Sequence, residues 1–235
     1  MIKQYLEQHK EELKPWLEGG EQGRVEIKIL PYLQDIENGV FIEAGALDGL
    51  FMSNTKILED LGWLGLLVEP SRKAAKACRE NRKSIVEEYA LVSYDFKEEH
   101  VLGDFLFDGE AGVGAWSSIN RQFYGYRVGN TFTPMGIYVK ARTLQSLLDE
   151  HKITHVDFFS LDVEGYELEV LKGVDFAKTD ITYILIEINL SDYKLEDMDA
   201  YLAQFGYKDL GCLSGFSDKM KGWSGEHNDY LYAKS

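Results

Sequence analysis

Four carboxylates stand at or near the ends of apolar runs. Glu43 follows Val40-Phe41-Ile42, Glu69 closes Gly65-Leu66-Leu67-Val68, Asp162 follows Val156–Leu161, and Glu187 lies within Ile181–Ile188. Acidic side chains at packed strand ends are costly unless they meet a ligand, a metal or positive charge. The first run continues as Ala44-Gly45-Ala46-Leu47-Asp48-Gly49, where two glycines permit a tight turn and close approach of a ligand. The dinucleotide pattern GxGxxG is not met, because Leu47 holds its second glycine position, so phosphate-rich dinucleotides are disfavoured. Glu69 lies twenty residues beyond Gly49 and would accept hydrogen bonds from both ribose hydroxyls. A ligand with a ribose, no phosphates and a positive sulfonium suits such a site. S-adenosylmethionine is such a ligand.

Those residues need a scaffold, and the hydrophobic pattern supplies one. Strand-like runs at Val40-Phe41-Ile42, Gly65–Glu69, Ala90-Leu91-Val92, Val156–Leu161 and Ile181–Ile188 alternate with helical patterns. The helices fall at Ser53–Leu61, Ser71–Arg82, Thr143–His151, Gly165–Lys172 and Leu195–Phe205. Tyr207–Leu213 and Tyr230–Ala233 read as closing strands at one sheet edge. This alternation predicts an α/β fold: a doubly wound, Rossmann-like, seven-stranded and mostly parallel sheet. Helices would cover both faces, with an antiparallel edge at the C-terminus. Residues 1–38 read as an N-terminal helical extension, with one amphipathic helix over residues 2–17, and residues 39–235 as the main domain. Residues 104–136 interleave aromatic side chains with glycines, which predicts a substrate lid or wall.

Composition narrows the partners. With 25 basic and 40 acidic residues, the formal charge is −15, the wrong sign for gripping a phosphate backbone or an anionic membrane surface. No apolar run approaches the ~18 residues of a membrane helix. The start lacks a signal-peptide apolar segment, and Cys78 and Cys212 form no CxxC motif, so a reducing cytoplasm is the expected location. No phosphate loop, GxSxG or HExxH is present, which leaves kinase and hydrolase readings without their central groups.

The chain resembles the FkbM-type methyltransferases, of the class I S-adenosylmethionine-dependent fold. The resemblance rests on FIEAGALDGLFMSNTKILEDLGWLGLLVEPS (41–71), ARTLQSLLDE (141–150), VDFFSLDVEGYELEVLKG (156–173) and ILIEIN (184–189). It implies that Glu43, Gly45, Ala46 and Gly49 line the methionine portion of the cofactor, with Ser53 and Asn54 at its carboxylate. Glu69 would take the ribose, Pro70 and Ser71 would abut the adenine, and Ala90 and Leu91 would form its other wall. Asp162 would sit beside the transferred methyl, Glu164 would reach towards it, and Glu167 would enter the site or else cap its helix. The implied acceptor is a hydroxyl of a sugar, glycan or small molecule.

An aliphatic hydroxyl is scarcely ionised at neutral pH, so Asp162 is the first candidate base. Asp162, Glu187 and Asn189 are hard oxygen ligands at adjacent strand ends, a set suited to Mg²⁺ or Mn²⁺. The plainer alternative is that Glu187 and Asn189 only shape the pocket. His227, before the last strand, would enter the acceptor side, while His9, His100, His151 and His155 read as surface or structural. Arg121, Arg127 and Arg142 would meet polar or anionic substituents of the acceptor. Two other readings stand beside this one: a nicotinamide-dependent oxidoreductase, and a catalytically silent interaction module. The N-terminal helix would offer a surface for a homodimer.

Overall fold

The structure is a computed structural model and describes residues 1–18, 22–105, 107–108, 112–113, 135–190, 194–215 and 227–235. Most of the expected lid lies outside the described residues, including Trp116, Arg121 and Arg127.

The strands, in chain order, are β1 (Val40–Ala44), β2 (Leu64–Val68), β3 (Ile85–Glu87), β4 (Ala90–Leu91), β5 (His100–Phe105), β6 (Phe107–Asp108) and β7 (Gly112–Val113). They continue with β8 (Met135–Arg142), β9 (His155–Leu161), β10 (Asp180–Asn189), β11 (Tyr207–Cys212) and β12 (His227–Lys234). Seven of these form one sheet in the order β11-β12-β10-β9-β1-β2-β3. From β10 to β3 every neighbouring pair is parallel. The antiparallel closing element is present as well, since β12 pairs antiparallel with β10 and with the edge strand β11.

Chain direction explains where a ligand can enter. From β1 the sheet grows outward through β2 and β3, and the chain then returns to lay β9 against the other side of β1. The boundary between β1 and β9 is therefore a topological switch point, where connections leave in opposite directions and open a crevice beyond the carboxyl ends of the strands. Gly45 and Asp162, the residues after β1 and β9, meet at that crevice.

Alternation along the strands divides the core in two. Ile42, Ala44, Leu66, Val68, Phe159 and Leu161 pack on one face, against Leu144, Leu147 and Leu148 of the helix Leu144–His151. Phe41, Leu67, Phe158, Leu185 and Leu231 face the other way, where Ile2, Leu13, Ile27 and Leu30 from the N-terminal segment cover them. The segment that reads as one helix over residues 2–17 forms two, Ile2–Gln8 and Lys10–Leu17, separated at His9. Ile2 and Leu13 are both buried, so the break turns two apolar stripes onto the same sheet face.

One strand assignment needs correction. The third strand of the main sheet is Ile85–Glu87, not a strand ending at Ala90-Leu91-Val92. Ala90 and Leu91 instead pair with Ala141 and Arg142 of β8 in a separate three-stranded sheet. Both short runs are apolar enough to read as one strand, and periodicity could not locate the break between them.

Candidate functional site

The turn after β1 is built around a buried ion pair. Glu43, with 4% of its surface exposed, accepts hydrogen bonds from Thr55 Oγ1 at 2.7 Å, Ser53 Oγ at 2.9 Å and the Asn54 amide at 2.9 Å. Arg82 Nη1 approaches the same carboxylate at 3.3 Å. The Arg82 guanidinium also bonds the Gly49 carbonyl, Ser53 Oγ, Thr55 Oγ1 and Glu59. Burial pushes the Glu43 carboxyl up, and Arg82 with the three donors opposes that push. Glu43 thus lies beneath the 49–55 turn and anchors it, with both carboxylate oxygens engaged by the protein. Asn54, held by Glu43 through its amide, donates from Nδ2 to Ser160 Oγ on β9 at 3.1 Å.

Arg82 was the residue that sequence reading missed. It lies one residue past the helix Arg72–Asn81, where an arginine ordinarily reads as a solvated helix end. The available signal was Glu43 itself, because an acid within a buried strand requires an internal cation or donors.

Gly45 brings the two halves of the crevice together. Its φ is +85°, and a Cβ there would lie 1.7 Å from the Asp162 carbonyl oxygen. The Asp162 amide in turn donates to the Ala44 carbonyl at 3.1 Å. Gly45 is itself exposed, so a ligand can lie directly against its backbone. Ala46 is buried in the core behind it.

Leu47, which excluded a dinucleotide fingerprint, adopts φ 49°, the left-handed conformation that a glycine would take without strain. For leucine this costs roughly 1–2 kcal/mol. Glu69 offsets it: Leu47 donates its amide to Glu69 Oε2 at 2.9 Å, while Ser71 donates to Oε1 at 2.8 Å. Glu69 therefore clamps both loops that flank the crevice on this side. Burial pushes its carboxyl up to about 7 against the two amide bonds. Each oxygen has spent one lone pair on an amide and retains acceptor capacity for a ribose diol.

Further along, a cavity of about 840 Å³ lies beside Pro70 and Ser71, walled also by Glu87, Glu88, Tyr89 and Tyr138. Of the expected cofactor residues only Pro70 and Ser71 line it. Ala90 and Leu91 are buried and do not line it, whereas Glu87, Glu88 and Tyr89 do. Cations rim the cavity at Arg72, Lys73, Lys76, Arg79 and Lys140, a local reversal of the protein's acidic balance.

On the opposite side of Gly45 the charge is strongly negative. Asp162 is half-buried, Glu164 is buried with φ 58°, and Gly165 follows with φ 91°. Two successive left-handed residues turn the chain sharply back towards the helix Glu167–Leu171. Glu167 Oε1 accepts from the Gly165 amide at 2.9 Å and the Val163 amide at 3.1 Å, which fixes that turn. Glu187 on β10 pairs through Oε1 with His227 Nε2 at 3.1 Å. One carboxylate oxygen from each of Asp162, Glu167 and Glu187 lies within 4.8 Å of the other two. The expected grouping of Asp162 with Glu187 is thus present, and Glu167 joins it. Asn189 is buried at the end of β10, in register with His227 of β12. Arg142, expected at the acceptor, is instead engaged by Ser146 and Glu150 and lies over Tyr89 at 5.1 Å.

The residues present fit S-adenosylmethionine on these grounds: an exposed Gly45 whose Cβ position is closed, a ribose-capable acid at Glu69, and acidic side chains at Asp162 and Glu164 for a cationic sulfonium. Among the described residues no helix is long and apolar enough to cross a membrane.

Comparison with known proteins agrees with this reading at the level of family. A family model described as the methyltransferase FkbM domain matches residues 43–208, about seven-tenths of the chain. No curated protein matches the chain. Among solved structures it is similar to an S-adenosylmethionine-dependent methyltransferase from Clostridium acetobutylicum ATCC 824, at 10% identity and a TM-score of 0.48, covering 97% of this chain and 98% of that one. It is also similar to a putative RNA methyltransferase from Pyrococcus horikoshii, at 12% identity and a TM-score of 0.42, covering 89% and 82%.

Proposed function

The chain belongs to the FkbM methyltransferase domain family, and from that premise we propose that it methylates a hydroxyl oxygen of a sugar, glycan or glycosylated small molecule. The observation that carries this reading is the position of Asp162, across Gly45 at the switch point, with only β1 between its strand and that of the ribose-capable Glu69. When bound, S-adenosylmethionine supplies an electrophilic methyl carbon on a cationic sulfur.

The chain's own residues do the rest. Gly45 would admit the cofactor against the backbone, Glu69 would hold its ribose, and the Asn54 turn tied down by Glu43 and Arg82 would receive its amino-acid end. Asp162 would accept the proton of the acceptor hydroxyl, and the cofactor would supply the methyl carbon and a sulfur that leaves as a neutral thioether. Alignment of oxygen, carbon and sulfur is worth on the order of 7–11 kcal/mol.

Acceptor class follows from charge. Carboxylates accept hydrogen bonds and donate none when ionised, so the cluster at Asp162, Glu164, Glu167 and Glu187 favours neutral ligands rich in O–H donors and repels phosphates. The net charge of −15 disfavours RNA for the same reason. The test is methyl transfer from radiolabelled S-adenosylmethionine to a panel of sugars, oligosaccharides and glycosides, beside calorimetric titration of the cofactor. The expected outcome is cofactor binding with label on an ether oxygen. Label on nitrogen or carbon overturns the acceptor class, and cofactor binding with no transfer to any panel member favours a silent module.

A further inference from the structure

We propose that Asp162, Glu167 and Glu187 form a divalent cation site whose open positions take a pair of neighbouring hydroxyls from the acceptor. Three acidic side chains in one place would not by themselves make such a site, since acidic clusters are common without an ion. Two further observations point to one. Glu167 Oε2 and Glu187 Oε2 are buried oxygens without a hydrogen-bond partner, on residues only 1% and 9% exposed. The opposite oxygen of each is held by protein: Glu167 Oε1 by the Val163 and Gly165 amides, Glu187 Oε1 by His227.

Each glutamate therefore has one oxygen oriented by donors and the other buried and unused. That is the pattern of a ligating carboxylate with its supporting contacts in place, which fix the ligand's direction before the ion arrives. An unpaired buried carboxylate oxygen is otherwise costly, and here two occur on residues of the same cluster.

The donor set is all oxygen, and all carboxylate. It selects a hard ion, Mg²⁺ or Mn²⁺, over zinc or copper. Three protein oxygens leave roughly half of an octahedral ion's positions open. Two adjacent hydroxyls of an acceptor would fill two of these, which narrows the acceptor to vicinal diols. One hydroxyl would lose its proton to the Asp162 carboxylate, and its oxygen would attack the methyl carbon as the carbon–sulfur bond breaks. This last step rests on the methyltransferase reading, whereas the ion site does not. It also replaces Asn189, expected as the third ligand, with Glu167.

The experiment uses the chelator-treated 235-residue protein without cofactor, titrated with Mn²⁺ and followed by the imidazole NMR signals of its five histidines. His227 touches Glu187, so bound Mn²⁺ should broaden the His227 signals beyond detection at one equivalent while His9, His100 and His155 persist. Preferential broadening of His151 would place the ion at the other acidic group, Glu87, Glu150 and His151, and overturn the proposal. So would the absence of any selective broadening at millimolar Mn²⁺, which would mean that the cluster shares protons instead. Glu167→Gln and Glu187→Gln should each weaken Mn²⁺ binding at least tenfold by spin-resonance titration. Unchanged affinity in folded variants overturns it; should neither variant fold, the wild-type broadening decides. Calorimetry with S-adenosylmethionine is run separately, so its failure beside intact His227 broadening strikes only the methyltransferase reading.

Discussion

Arg82 and Glu43 form an ion pair at 3.3 Å with 0% and 6% of their side chains exposed, and between them they fix the turn that carries Asn54. Pairs of this kind contribute little net stability over an apolar replacement, but removing one partner strands a buried charge. Arg82→Met should therefore destabilise the protein by about 3–5 kcal/mol in urea unfolding. The double variant Glu43→Gln/Arg82→Met should recover a large part of that loss. If the single and double variants were equally unstable, the pairing would not be what holds the turn.

A second expectation concerns Gly45. The methyl of Gly45→Ala would meet the Asp162 carbonyl oxygen at 1.7 Å, and alanine would also have to hold φ +85°. The contact is with backbone on both sides, so β1 and β9 would have to separate at the switch point. We expect a lowered melting temperature and at least a tenfold loss in S-adenosylmethionine affinity by calorimetry. Wild-type values for both would show that the two strand ends do not constrain each other.

Much of the framework was legible in the sequence, because apolar runs and helical stripes alternate with few interruptions from Val40 to Asn189. The strand-end acids were legible for the same reason: Glu43, Glu69, Asp162 and Glu187 each break an apolar run. Partnership was not. Whether Glu43 faces a ligand or Arg82 depends on a contact 39 residues apart, and local pattern carries no record of that distance. Glu167 sat equally well as a helix-capping residue, and only the sharp turn at Glu164 and Gly165 brings it to Asp162 and Glu187. The split between β3 and β4 was invisible because Ile85–Leu91 contains two short strands with no turn residue between them.

Asp162 separates chemistry from binding. Asp162→Asn preserves the shape of the side chain and removes its capacity to take a proton. Turnover should fall by about 10²–10⁴-fold, the usual contribution of a positioned base, while cofactor affinity changes by less than about threefold. Steady-state methyl transfer compared with direct cofactor titration checks both halves. Full turnover in this variant would remove Asp162 from the reaction.

Glu69 makes the cofactor site sensitive to pH. Its carboxyl is raised from 4.5 to about 7 because burial outweighs the two amides that bond it. The folded state then binds more protons than the unfolded chain between pH 4.5 and 7, so this group's contribution to stability is fully present below 4.5 and is lost as pH rises through 7. The interval is worth on the order of 3 kcal/mol. Cys78, a titratable group that senses Glu69, is pushed up to about 12 and stays neutral throughout. Other buried acids with raised values act in the same direction, so the informative quantity is the difference between wild type and Glu69→Gln. That difference should shrink as pH rises from 5 to 8 in urea unfolding. Cofactor affinity should do the opposite, since an ionised carboxylate is the better acceptor for ribose hydroxyls. S-adenosylmethionine should bind more tightly as pH passes 7 in the wild type, and this rise should flatten in Glu69→Gln. Parallel pH profiles in the two proteins would place the ribose elsewhere.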